Sequence, residues 1–272
     1  EKIMKKKFQL IWFIIKYGFE KFFTKNFEIY APSIAGNSKK KGQITIDNIN
    51  KIFPTIYLLI KKLGLKQEII FSKSFCMNKK KIKQASRLKK LFDFYGSDKS
   101  NFHDYHFIYS SLFENTSEVK KILEVGIGTN NINMLSNMGE SGKPGASLMA
   151  FRDFFIKSKV YGADIDKDVL FEDKRIKTRY VDQTSFKSIK KLFKSFGGNF
   201  NLIVDDGLHS HTANLNLIIY SMGFLRKGGC LVIEDISLKS KSIWQTISVI
   251  VGFKYKCSLV KCKKSFIFLI YK

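Results

Sequence analysis

From about residue 119 onward the sequence predicts an α/β fold on an open, doubly wound, mostly parallel sheet. Three observations carry that expectation. Short apolar runs alternate with amphipathic helical patterns as far as residue 235. Those runs are continuously apolar rather than alternating, which is the pattern of parallel strands covered on both faces. The C-terminal end then changes character: FKYKCSLVKC (253–262) and SFIFLIYK (265–272), joined by a short lysine turn, read as a hairpin that adds an antiparallel strand at the sheet edge.

Taken in order, residues 8–28 place Leu10, Phe13, Ile14, Tyr17, Phe22 and Phe23 near helical spacing with lysines between them, an amphipathic helix. GNSKKKGQ (36–43) interrupts the pattern. IFPTIYLLIKKLGL (52–65) is helix-like, EIIFSKSF (68–75) strand-like, and KKKIKQASRLKKLFDFYG (79–96) a basic helix. The regular part opens with strand KILEVG (121–126), helix SLMAFRDFF (147–155), strand KVYGADID (159–166) and strand IKTRYVD (176–182). Helix SFKSIKKLFKSF (185–196), strand FNLIVDD (200–206), helix TANLNLIIYSMGFL (212–225) ended by Lys227-Gly228-Gly229, and strand CLVIED (230–235) complete it. The result is a Rossmann-like sheet in residues 86–272, with ligands expected at the carboxyl ends of the strands. Residues 1–85 form a mainly helical basic N-terminal region. A chain of 272 residues accommodates one well-buried domain of about 170–200 residues and such an appendage.

The net charge of +25 is uneven: residues 1–100 carry 23 basic and 7 acidic side chains, the remainder 25 and 16. The excess is mostly lysine, which suits general attraction to anions better than the bidentate readout that arginine provides, so a nucleic-acid partner is disfavoured. An anionic membrane surface, met by the basic N-terminal region, or an acidic glycan fits the charge; a lysine-rich coding bias gives the same excess with no partner. The helix at 8–28 serves equally as a packed helix or a dimer contact, so a homo-oligomer stays open. FQLIWFII (8–15) is broken by Lys16, well short of the roughly 20 residues of a membrane span, and no small-residue cleavage site follows it. Four cysteines without a CxxC pair read as reduced thiols of a cytoplasmic protein, peripheral at the inner membrane face if the basic region binds there.

Three strand ends carry chemistry. In ILEVGIGTN (122–130), Gly126 and Gly128 allow a tight turn and close approach to a ligand, and Glu124 makes an ExGxG pattern. Asn131 stands where a dinucleotide fingerprint needs a third glycine, so a pyrophosphate is not indicated. A cationic, phosphate-free cofactor such as S-adenosylmethionine (SAM) favours acidic neighbours instead. Asp164, ahead of Asp166, suits ribose hydroxyls, and Asp182 with Gln183 suits an adenine amino group. VDDGLHSH (204–211) places Asp205 and Asp206 side by side, with Glu234 and Asp235 ending the next strand. Adjacent acids repel unless a cation or donors compensate, and several oxygens from neighbouring strand ends suit magnesium. His209, three residues past Asp206, is the first choice as general base; His211, His103 and His106 are alternatives.

LFDFYGSDKSNFHDYHFIYSSLF (91–113), ILEVGIG, GKPGASLMAFRDFF, VYGADID, RIKTRYVDQTS, LIVDDGLHSH and LRKGGCLVIEDI together resemble the metal-dependent sugar O-methyltransferases of macrolide biosynthesis, of the mycinamicin and macrocin type, from about residue 88 to 236. The resemblance implies a class I SAM-dependent methyltransferase acting on a sugar-containing acceptor. It implies Asp206, Glu234 and Asp235 as magnesium ligands, His209 as base, and a cofactor site around Glu124, Gly126, Asp164 and Asp182, to which Gly128, Gln183 and Asp205 are added. The loop GIGTNNINMLSNMGESGKPG is longer and more polar than that family's, and the first 85 residues match nothing assigned. Two other classes stay open. Hydroxylases of the cephalosporin type look similar in the DDGxH region and would take iron, and a non-catalytic basic glycan- or RNA-binding module would need neither metal nor base.

Overall fold

The computed structural model describes residues 38–65 and 68–272. The chain divides into two units, Glu1–Leu65 and Lys66–Lys272. In the first, helix α1 (Ser38–Lys62) runs through the lysine-rich stretch that the sequence pattern assigned to a break. Lysine is a good helix former, so polarity alone does not stop a helix there. The amphipathic pattern at 8–28 lies outside the described residues.

The second unit holds a nine-stranded sheet. Its strands are β1 (Ile69–Phe71), β2 (Lys121–Val125), β3 (Lys159–Asp164), β4 (Glu172–Asp173), β5 (Ile176–Tyr180), β6 (Phe200–Asp205), β7 (Leu225–Ile236), β8 (Lys256–Lys261) and β9 (Phe266–Tyr271). Their spatial order is β1-β8-β9-β7-β6-β2-β3-β5-β4. The run from β7 to β5 is parallel throughout, while β9 pairs antiparallel with both β7 and β8. The predicted hairpin therefore forms, but it is not the sheet margin, because β1 adds parallel to β8 outside it. The boundary drawn at residue 85 falls inside helix α2 (Lys79–Tyr95), and β1 puts residues 69–71 into the sheet.

The remaining helices are α3 (His106–Tyr109), α4 (Ala146–Phe154), α5 (Phe186–Phe196), α6 (His211–Ser221) and α7 (Lys241–Gly252). Strand periodicity sorts the core into two layers. Ile122, Leu202, Val204 and Val232 pack with Leu88 and Phe92 of α2 and Leu148 and Phe151 of α4. Leu123, Ile203 and Leu231 point the other way, toward Ile189 and Phe193 of α5, Leu217 of α6 and Trp244 of α7. Both faces are thus covered, which is why the strands read as unbroken apolar runs.

The chain passes from β2 outward to β3 and β5, then returns to place β6 and β7 on the other side of β2. That reversal opens a crevice beyond the carboxyl ends of β2 and β6, where open α/β sheets bind ligands.

Candidate active site

Gly126 follows β2 at that crevice with φ +87, and a Cβ there would stand 2.2 Å from the Asp206 carbonyl oxygen. Any side chain would push β2 and β6 apart, so glycine keeps the two strand ends in register. The backbone confirms the closeness, since the Asp206 amide donates to the Val125 carbonyl at 2.8 Å. Gly128, at φ +85, leaves room for Met138, whose sulfur would be 2.1 Å from an added Cβ. A cavity of about 660 Å³ opens above these turns, lined among others by Gly126, Gly128, Asp164, Asp182, Asp206 and His209. That volume is in the range of small-molecule and cofactor sites.

At one end of the cavity Asp206, His209 and Asp235 bring their ligand atoms within 4.8 Å of one another. His209 Nε2 lies 3.8 Å from Asp206 Oδ1 and 4.0 Å from Asp235 Oδ2. Both His209 (φ 54) and Asp235 (φ 52) occupy the left-handed region, which side-chain-bearing residues avoid. Asp235 gets there through a bulge: β7 advances three residues from Ile233 to Ile236 while β9 advances two, from Phe268 to Phe266. Such an extra residue re-aims side chains at a strand end.

Beside these groups, bordering the same cavity, lies Lys99, only 2% exposed. Its Nζ is 2.5 Å from Asp206 Oδ2, 2.5 Å from Glu234 Oε2 and 3.2 Å from Glu124 Oε1. Burial alone would depress this ammonium, but Asp206, Glu234 and Glu124 hold its pKa well above the usual lysine value. The buried Glu124 carboxyl is pushed up to about 7 by desolvation, partly offset by Lys99, and it accepts a 2.7 Å bond from Ser147 Oγ. Tyr109 donates to Glu234, and Tyr105 donates to Asp235.

No protein-family model matches the chain. Among curated proteins it is 31% identical over 123 residues to demethylmacrocin O-methyltransferase of Streptomyces fradiae, covering 45% of this chain and 29% of that one. It is 28% identical over 116 residues to mycinamicin VI 2''-O-methyltransferase of Micromonospora griseorubida, covering 43% and 27%. A tetracenomycin rhamnosyl 2'-O-methyltransferase of Streptomyces olivaceus matches at 26% over 143 residues, covering 52% and 35%. The matched stretch thus spans about a third of the length of these relatives. Among solved structures, the MycE methyltransferase of the mycinamycin pathway, in complex with Mg and SAH, superposes with a TM-score of 0.56 at 22% identity, covering 68% of this chain and 54% of that one.

The chain has the class I methyltransferase fold and resembles the macrolide-sugar O-methyltransferases.

On that fold, the residues singled out from sequence separate into two groups. Gly126, Gly128, Asp164, Asp182, Gln183, Asp206, His209 and Asp235 all border the cavity. Asp164 is anchored there, accepting from the Ile127 and Asp166 amides at 2.9 Å each. Asp182 accepts from the Thr184 amide at 2.8 Å. Glu124 and Asp205, also read from sequence as cofactor contacts, do not border the cavity. Asp205 is fully buried and spends both oxygens on Gln183 (2.6 Å) and Asn214 (2.9 Å), so it fastens the turn after β6. Glu234 likewise stands apart from the three converging groups, because its carboxylate faces Lys99 and Tyr109.

The other histidines are placed differently. His103 Nδ1 approaches Asp235 Oδ1 at 3.2 Å from behind, and His106 is buried with no hydrogen bond to its Nδ1. His211 begins α6. Lys99, Tyr105 and Tyr109 were not legible as site residues: a lysine between polar neighbours in GSDKS looks solvated, and the tyrosines look like core. Their only signal was membership of the 91–113 block that resembles the methyltransferases.

Proposed function

We propose that this chain is a SAM-dependent, magnesium-assisted O-methyltransferase for a sugar hydroxyl of a glycan, glycolipid or glycosylated metabolite. The convergence of Asp206, His209 and Asp235 at the end of a cavity floored by the ExGxG turn carries the reading. The cavity would seat SAM, with Asp164 at the ribose and Asp182 at the adenine end. The donor set fits a hard cation: Asp206 and Asp235 would hold it, with Glu234, already engaged by Lys99 and Tyr109, behind them. Bound there, such an ion supplies polarisation of an acceptor hydroxyl. Magnesium prefers oxygen to imidazole, which leaves His209 for proton transfer.

In that transfer His209 Nε2 takes the hydroxyl proton, and the acceptor oxygen attacks the methyl carbon. The carbon–sulfur bond breaks, and its electron pair stays on sulfur as S-adenosylhomocysteine (SAH). Holding both reactants in line supplies much of the acceleration. The iron-oxygenase reading is less well supported, since a facial triad needs two histidines and one carboxylate while this group offers the reverse.

The test is intact-mass analysis of candidate glycosides incubated with the protein and SAM, with and without magnesium; a gain of one methylene per acceptor, dependent on the metal, is expected. His209→Ala should lower turnover by about 10²-fold or more, as loss of a general base does, while SAH affinity measured by calorimetry stays unchanged. Undiminished turnover in that variant would remove His209 as the base.

A further inference from the structure

We propose that Lys99 and Tyr105 are positioning residues, each binding the rear oxygen of one site carboxylate and thereby aiming its front oxygen at the space beside His209. The inference rests on the magnesium reading above and extends it to residues that reading does not use.

The two carboxylates are held alike. Asp206 gives Oδ2 to Lys99 Nζ at 2.5 Å and turns Oδ1 toward His209 Nε2. Asp235 gives Oδ1 to the Tyr105 hydroxyl and turns Oδ2 toward the same nitrogen. Neither rear group is free to wander. Lys99 is pinned by Glu124 and Glu234, and Tyr105, fully buried, is fixed by Ser265 Oγ at 2.6 Å and by stacking on His103 at 4.8 Å between centroids. The pair are joined as well, since the Tyr105 amide donates to the Lys99 carbonyl at 2.8 Å. One short segment between α2 and α3 therefore supplies the backing for acids from two different strands.

A carboxylate on a strained or solvent-facing strand end has several rotamers within reach, and a bond to one oxygen selects among them. Outer partners of this kind typically set about 10–100-fold in metal affinity. Lys99 has a competing explanation, as a mere counter-ion for three crowded carboxylates; Tyr105 carries no charge and escapes that one, and it shares Asp235 Oδ1 with His103 Nδ1 at 3.2 Å and Ser265 Oγ at 3.4 Å.

The experiment titrates magnesium chloride, alone and with SAH present, into the full chain by calorimetry. Tyr105→Phe keeps the ring and removes only the hydroxyl; magnesium affinity should fall about tenfold or more while SAH affinity stays within about twofold. Lys99→Met should lower the melting temperature by leaving carboxylates uncompensated. Lys99→Arg keeps the counter-charge but replaces the compact ammonium with a planar head, and should hold most of the melting temperature without holding magnesium affinity.

Magnesium binding unchanged in Tyr105→Phe overturns the inference for the pair. Magnesium affinity kept in Lys99→Arg makes Lys99 a counter-ion only. If the lysine variants do not fold, Tyr105→Phe decides alone. A wild-type chain that binds no magnesium overturns the metal reading together with this inference, whereas wild-type binding with an unaffected Tyr105→Phe overturns this inference and leaves that reading standing.

Discussion

His209 and Asp235 hold their backbones in the left-handed region, where a Cβ costs about 1–2 kcal/mol. The same two residues end the converging group at the cavity. Strain kept at such positions is a cost borne for geometry, and it can be measured apart from chemistry. Glycine relieves the steric penalty but loses more chain entropy on folding, which returns about half of the gain. His209→Gly should therefore be more stable than His209→Ala by about 0.5–1 kcal/mol in urea unfolding, while both lose turnover. Equal stability of the two variants would mean that the turn after β6 relaxes once the imidazole is gone. Asp206 and His209 were readable from DDGLH because adjacent acids beside a glycine turn are hard to explain otherwise. The fate of Glu234 was not, because Glu234 and Asp235 differ in sequence by one position and in space by a bulge that sends one to Lys99 and the other to His209.

At the scale of elements, the parallel strands were legible because burial on both faces leaves LIV and LVI without a polar position and ILEV with only the buried Glu124. Edges were less so. Lys227-Gly228-Gly229 looked like a helix stop, yet α6 ends at Ser221 and these residues already belong to β7. The sequence of α7, SIWQTISVIVG, does not decide its own state, because its β-branched apolar residues fit strand and helix alike until packing against β8 and β9 decides. The short helix α3 shows a measurable consequence of its burial. Desolvation pushes the His106 imidazole down to about 4, with Asp104 and Asp93 opposing and Lys89 reinforcing. The folded state thus favours neutral His106, and the unfolded chain, with its pKa of 6.5, binds the proton first. Stability from this source is complete above pH 6.5 and declines as pH falls toward 4. Melting temperatures recorded across that range should fall more steeply for the wild type than for His106→Gln; parallel curves would show that His106 protonates without resistance.

For the whole molecule, fold and ligand chemistry are separable claims, because this sheet supports many activities and only its site argues for one. No helix among the described residues is long and apolar enough to cross a membrane. The +25 net charge attracts any anion and so selects none. A ligand that binds only the folded state discriminates better. If the 660 Å³ cavity takes SAM or SAH, saturating ligand must stabilise the entire second unit, since the cavity is built from the ends of β2, β3 and β6 and the turns that follow them. At a hundred times Kd the gain is about 2.7 kcal/mol. For a domain of roughly 200 residues each kcal/mol moves Tm by about 2–4 °C, so SAH should raise Tm by about 5–11 °C. Adenosine, which lacks the amino-acid arm, should raise it less at equal concentration. The same shift should survive a chelator, because the proposed nucleoside contacts, Asp164 and Asp182, are separate from the Asp206–His209–Asp235 group proposed for the metal. A scaffold carrying a dead site would not respond to SAH at all, and a response abolished by chelation would tie the cofactor to the Asp206–Asp235 pair instead of to the turns around Gly126.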